Sequence, residues 1–137
     1  MNQVIIGVGS NVDPQTNIER SRELLAQHFE LVRESCFIQT EPIGLTEQPP
    51  FLNGSILIRT DLSQEALRER LRAIEAQLGR RRDGDPYTPR TIDLDIVVWN
   101  DQVVDPDVYE RDFLKQSIVE ICPELCLAEA TDSLCKP

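Results

Sequence analysis

The chain has 137 residues, 14 Lys+Arg against 24 Asp+Glu, and a formal net charge of -10 at pH 7. Its length suits one domain with a true hydrophobic core, 1–125, followed by a weakly ordered tail, 126–137. So acidic a chain repels polyanions, which argues against a nucleic-acid partner. No apolar run approaches the roughly 18 residues of a membrane span. The N-terminal Met1-Asn2-Gln3 lacks the basic flank of a secretion signal. The expectation is a soluble, cytoplasmic protein that binds small molecules, with a monomer as the expected state. Cys36, Cys122, Cys126 and Cys135 lack C-x-x-C spacing, and the one histidine, His28, is remote in sequence from the last three. They read as ordinary thiols rather than a zinc site.

Residues 4–8 read as a buried strand ending in a tight turn at Gly9-Ser10-Asn11. Asp13-Pro14 supplies a helix N-cap with proline at the first helical position, and the helix runs to about His28. A second strand is expected over 31–39, with Val32, Cys36 and Ile38 sharing parity, before a loop stiffened by Pro42, Pro49 and Pro50. The third strand, 51–59, alternates: Leu52, Ile56 and Ile58 point one way, and Phe51, Asn53, Ser55 and Leu57 the other. Ser63 caps a second helix whose Leu67, Leu71, Ile74 and Leu78 form one stripe and whose end is marked by Gly79. A polar loop, 80–91, leads into a fourth strand with Ile92, Leu94, Ile96 and Val98 on one face and Asp93, Asp95, Val97 and Trp99 on the other. Leu114, Ile118 and Ile121 predict a last helix that stops before Pro123. The order β-α-β-β-α-β is that of a ferredoxin-like α+β sandwich, here with an additional C-terminal helix. Two helices cover one face of its antiparallel sheet, and the other is left for function.

The sharpest chemical feature is Asp93-Leu94-Asp95 within a strand. Residues i and i+2 project from one face about 6.5 to 7 Å apart, so two carboxylates can converge on a hard cation such as magnesium, although two aspartates can also sit idle on a solvated face. Upstream lie Arg80, Arg82 and Arg90, drawn from a chain with 12 Arg and only two Lys, Lys115 and Lys136. Carboxylates for magnesium beside guanidinium groups for phosphates are the components of phosphoryl transfer. Gly7-Val8-Gly9-Ser10-Asn11-Val12 is not a dinucleotide fingerprint, because Val12 stands where a glycine is needed, and no Gly-Lys-Ser/Thr follows. Phe51 and Asn53 share a strand face and suit a flat heteroaromatic ligand, although Phe-x-Asn also occurs as core plus turn signal.

These segments resemble the hydroxymethyldihydropterin pyrophosphokinase family. The matching stretches are Gly9-Ser10-Asn11, Thr40 to Gly44, Gln48 to Gly54, Ile74-Glu75 with Gly79 to Arg82, and Pro89 to Ile96. The resemblance implies transfer of pyrophosphate from ATP, as co-substrate, to the hydroxymethyl group of a reduced pterin, giving AMP. It implies two magnesium ions on Asp93 and Asp95, and ATP phosphates on Arg80, Arg82 and Arg90, with Arg80 and Arg90 also counted as catalytic. Glu75 matches an acid near the nucleotide, and Thr40, Ile43, Phe51, Asn53 and Phe113 match pterin contacts. The chain departs from the family pattern in two places. Pro86-Tyr87-Thr88-Pro89-Arg90 stands where Arg-Trp-Gly-Pro-Arg is typical, and no histidine lies between Val104 and Arg111. A transferase acting on another flat heterocycle, or a pterin-binding regulatory homologue without turnover, are the alternatives.

Overall fold

In a computed structural model, residues 1–41, 49–80 and 91–124 are described. The first strand, β1 (Asn2–Ser10), is followed by α1 (Pro14–His28), β2 (Glu30–Glu34), β3 (Ile38–Thr40), β4 (Phe51–Thr60) and α2 (Gln64–Gln77). Then come β5 (Asp93–Trp99), the short β6 (Gln102–Val103), one helical turn α3 (Asp107–Glu110), and α4 (Asp112–Ile121). The sheet order is β2-β4-β1-β5-β6, with β3 also on β4, and every pairing is antiparallel. Setting β6 aside, this is the expected α+β sandwich with its additional C-terminal helix.

Local signals set both long helices. Ser63 accepts a hydrogen bond from the Ala66 N–H at 3.1 Å, satisfying one of the amides that a helix start leaves unpaired. Gly79, at φ +95°, closes α2 in a left-handed turn: its N–H donates to Ala76 O and the Arg80 N–H to Glu75 O, both at 3.0 Å. That turn folds Arg80 back against the last turn of its own helix. At α1 the proline sits where expected, but Asp13 has a left-handed backbone (φ 41°) and makes no side-chain cap. Asn17 instead reaches back to donate to Val12 O.

Three expectations about strands change in the structure. The second strand is two strands. Ser35 breaks it, since its N–H donates to Ser55 O at 2.9 Å while its own Oγ accepts from the Ser55 N–H at 2.8 Å. β2 therefore pairs with Ile56 to Arg59, and β3 with Phe51 to Asn53. A register shift lies between Leu31 and Arg33. Val32, Cys36 and Ile38 are exposed on this edge, and Leu31 and Phe37 pack inward. In β5, Ile5 pairs with Val98 and Ile6 with Ile96, so Val97 is one residue too many. This bulge swaps the faces of the last two residues: Val98 joins the core under α4, and Trp99 packs on the helix-side core.

The third change concerns the face left for function. One core lies between the sheet and α1 and α2, around Val4, Ile6, Ile56, Leu94, Leu71 and Ile74. A second lies on the opposite face, where Ile5, Leu57, Val97 and Val98 meet Val108, Leu114, Ile118 and Ile121. The additional helix thus covers much of that face, because its Leu114, Ile118 and Ile121 form an apolar stripe that must be buried. Three polar contacts fix its position. Ser55 Oγ and Ser117 Oγ share a hydrogen bond at 2.6 Å, Arg33 donates to Ile121 O at 3.2 Å, and the Cys36 N–H donates to Glu120 at 2.8 Å.

Gly54 shows how tightly the β3–β4 edge is packed: a Cβ there would lie 2.7 to 2.9 Å from three ring atoms of Phe37. Gly54→Ala is expected to destabilise the fold by about 1–3 kcal/mol through this overpacking. Urea denaturation would measure the loss, and a Phe37→Ala background should shrink it.

Candidate active site

The central strand has no side chains at two alternate positions, Gly7 and Gly9. Gly9 lies opposite Asn53 on one side and Asp93 on the other, and Gly7 opposite Ser55 and Asp95. With neighbouring strands about 4.8 Å apart, the Asn53 and Asp93 backbones flank a bare strip about 10 Å wide. Gly9, expected in a tight turn, is instead part of the strand, as Gly7 is. Both lie within a regular strand, and among the described residues only Gly79 has positive φ among the glycines. Their purpose is absence of bulk. A Cβ on Gly9 would stand 2.5 Å from Asn53 Oδ1, and one on Gly7 would stand 3.3 Å from Val97 Cγ1.

Above this strip opens a cavity of about 240 Å³. Thr40, Phe51 and Asn53 line one side, Asp93 and Asp95 the other, and Phe113 and Arg111 from the start of α4 close it. The β3–β4 ladder sets Thr40 beside Phe51, and Asn53 Nδ2 donates to Thr40 Oγ1 at 2.5 Å. That bond fixes which way the Asn53 amide faces, leaving Oδ1 over Gly9. Two aromatic rings and an oriented amide around a bare floor suit a flat, polar-edged ligand.

On the acidic side, Asp93 and Asp95 share a strand face, as the period of two requires. Asp95 is exposed at the cavity, yet desolvation by the surrounding walls, then the charges of Asp93, Glu75 and Asp105, raise its carboxyl pKa above the ordinary value, with Arg80 pulling the other way. Surplus negative charge of this kind suits a hard divalent cation. Among the described residues no group of three or more His, Cys, Asp and Glu converges as a metal cage. Magnesium commonly takes one or two carboxylates and completes its shell with water and phosphate oxygens, so the pair present fits it.

Behind Asp93 stands a buried ion pair. Arg80 Nη1 donates to Asp93 Oδ1 at 2.5 Å, to Glu75 Oε2 at 3.0 Å and to Ile92 O at 3.2 Å. Glu75, 1% exposed, also accepts the Leu94 N–H at 2.7 Å. Burial works against the Arg80 charge, but Asp93 and Glu75 outweigh it and raise its pKa. Of the residues singled out from sequence, Thr40, Phe51, Asn53, Asp93, Asp95 and Phe113 meet at the cavity, and Arg80 and Glu75 back it. Ile43, Arg82 and Arg90 lie outside the described residues.

Sequence reasoning missed two sets of residues. Ser10, the last residue of β1, and Asn11, in the bend that follows, are both at most 2% exposed and act as anchors. Ser10 Oγ donates to Thr91 O at 2.6 Å and Asn11 Nδ2 to Pro49 O at 3.3 Å, so consecutive residues hold the points where two segments re-enter the sheet. Their signal was two polar residues directly continuing a buried apolar strand. Asp105, Asp107 and Arg111 also line the cavity, and Arg111 pairs with Asp107 at 3.6 Å. Nothing in their spacing marked them, because the bend between β6 and α4 brings them in.

The model of the 7,8-dihydro-6-hydroxymethylpterin-pyrophosphokinase family matches residues 5–123. The chain belongs to this family. It is 34% identical over 135 residues to the 2-amino-4-hydroxy-6-hydroxymethyldihydropteridine pyrophosphokinase of Bacillus subtilis, covering 90% of this chain and 80% of that protein. To the enzyme of the same name from Pseudomonas aeruginosa it is 31% identical over 138 residues, covering 93% and 85%. A folate synthesis bifunctional protein of Arabidopsis thaliana is 33% identical over 129 residues; that match takes in 87% of this chain and spans 27% of the plant protein. Membership of the pyrophosphokinase family carries with it pyrophosphoryl transfer from ATP to hydroxymethyldihydropterin, in folate biosynthesis. No helix among the described residues is long and apolar enough to cross a membrane.

In this pyrophosphokinase the bare floor at Gly9 is expected to be indispensable. Gly9→Ala should displace the Asn53 amide and weaken binding of the hydroxymethylpterin by about tenfold or more, the scale of one buried hydrogen bond lost and left unsatisfied. Equilibrium binding followed by pterin fluorescence would measure it.

Proposed function

We propose that pyrophosphoryl transfer takes place in the cavity over Gly7 and Gly9, with the pterin on the Phe51, Asn53 and Thr40 side and the phosphates on the Asp93 and Asp95 side. The observation that carries this reading is the convergence of a stacking platform and a carboxylate pair on one glycine floor, from strands far apart in sequence. Phe51 and Phe113 hold the pterin ring and Asn53 and Thr40 meet its polar edge; Ile43, outside the described residues, is assigned to the pterin on the family resemblance alone. Asp93 and Asp95 hold magnesium, two ions when the site is loaded. Bound there, magnesium neutralises phosphate charge and orients the polyphosphate.

The protein's own residues then position and neutralise. Because AMP is released, the bond broken lies between the α and β phosphates. The bond formed joins the substrate hydroxyl oxygen to the β phosphorus, and the hydroxyl proton is lost. No covalent enzyme intermediate is needed, since the nucleophile belongs to the substrate. Arg111, lining the cavity, would meet phosphate oxygens there; Arg82 and Arg90, outside the described residues, are assigned to the phosphates on the family resemblance alone. The apolar wall of Val97 and Leu114 limits water on that side, which strengthens each electrostatic contact and guards against hydrolysis.

Mixing the protein with ATP, magnesium and hydroxymethyldihydropterin should yield AMP and the pterin pyrophosphate; binding of the pterin without AMP would overturn the proposal in favour of a binding module. Asp95→Asn should abolish turnover while leaving the pterin dissociation constant nearly unchanged, because Asp95 stands across the glycine strip from Phe51 and Asn53. Phe51→Ala should weaken pterin binding by about 1–2 kcal/mol, from lost stacking and contact area. Calorimetry on both variants separates the two halves of the site.

A further inference from the structure

We infer that Glu75 is a positioning residue: through Arg80 it sets the charge and orientation of the Asp93 carboxylate, and it makes no contact with nucleotide. This rests on the proposed cation-binding role of Asp93. Three observations lead to it. Glu75 is 1% exposed, at the base of the site, so its carboxylate has no open path to a ligand in the cavity. A single Arg80 nitrogen, Nη1, is shared between Glu75 and Asp93, so what Glu75 draws from that guanidinium is withheld from Asp93. Finally, the pair is locked in place by backbone. Gly79 turns the Arg80 N–H onto Glu75 O, Ile92 O accepts from Nη1, and Glu75 Oε2 accepts the Leu94 N–H, the amide between the two aspartates.

The arrangement solves an electrostatic problem. Asp93 must be held in one orientation, which a hydrogen bond from Arg80 does, yet must keep enough negative charge to bind a cation. An arginine paired to Asp93 alone would cancel that charge. Adding a buried Glu75 on the same nitrogen sets a second negative charge against the single Arg80 charge while keeping the orienting bond. Glu75 thereby acts on the cation without touching it. Buried in α2, it is screened little by solvent, so its charge is felt at Asp93 more strongly than a surface carboxylate would be.

The test is the affinity of the ligand-free protein for Mn2+, read by electron paramagnetic resonance. Glu75→Gln keeps the size of the side chain and an acceptor for the Leu94 N–H but leaves the Arg80 charge opposed by Asp93 alone. Mn2+ affinity should fall by about tenfold, the scale of one uncompensated charge near a partly screened site. The double variant Glu75→Gln, Arg80→Gln removes both charges, and with them the orienting bond, and should recover affinity to within about fourfold of the wild type, the shortfall being the lost bond. Affinity for AMP without metal should be unchanged in Glu75→Gln. Circular dichroism establishes that each variant is folded.

Unchanged Mn2+ affinity in Glu75→Gln, or no recovery in the double variant, would overturn the inference and leave Glu75 a structural clamp on β5. Loss of metal-free AMP affinity in Glu75→Gln would also overturn it, by making Glu75 a nucleotide contact. Asp93→Asn serves as the separate control: wild-type Mn2+ affinity there would remove Asp93 from cation binding and overturn the site assignment itself.

Discussion

The whole site depends on a central strand that carries no side chains where two neighbouring strands bring theirs. β1 is hydrogen-bonded on both edges, to β4 and β5, so its register fixes theirs across nine and six paired residues respectively. Antiparallel pairing then puts Asn53, Gly9 and Asp93 in one row and Ser55, Gly7 and Asp95 in the next. A one-residue slip in either ladder would send the polar side chains to the opposite face, into the core of Val4, Ile6 and Leu94. That core is therefore what enforces the geometry of the site: apolar residues on the helix side leave the functional residues only one face to occupy.

The electrostatics follow from depth. A chain with net charge -10 offers no general attraction to a polyphosphate. Charge must be arranged locally, and the proposed site does so with a carboxylate pair suited to a cation and with guanidinium groups. Arg80 is spent largely inside the protein, where its 11% exposed side chain joins the last turn of α2 to the start of β5. Such a buried pair gains little stability once its desolvation is counted, and breaking one partner leaves an uncompensated charge. Its retention makes sense as placement: the same contacts that join α2 to β5 orient Asp93 at the cavity edge.

The C-terminal helix divides a sheet face between stability and function. Leu114, Ile118 and Ile121 seal the half over Ile5, Leu57 and Val97, while Phe113 and Arg111, at the start of the same helix, reach the half over the glycines. The Ser55–Ser117 hydrogen bond and the Glu120 and Arg33 contacts hold the helix against the bend between β2 and β3. Packing that stabilises the domain thus also sets one wall of the cavity.

Much of this was legible in the amino-acid order. The stripe from Leu67 to Leu78, the cap at Ser63 and the glycine at 79 specify α2, and strand alternation puts Asp93 and Asp95 on one face, because each rests on interactions within one element. The motifs around Thr40, Phe51, Asn53 and Asp93 were enough to point to a pterin pyrophosphokinase. Tertiary pairing decided the rest. Whether Gly9 makes a turn or, with Gly7, a floor depends on partners more than 40 residues away, and the parity of Val98 depends on a bulge against Ile5 and Ile6. That Glu75 and Arg80 support Asp93 from behind depends on where the end of α2 meets β5. Local propensity and periodicity are carried by neighbours in sequence. Burial, register and charge compensation are set only when distant segments pack, and at those positions only the folded chain determines what each residue does.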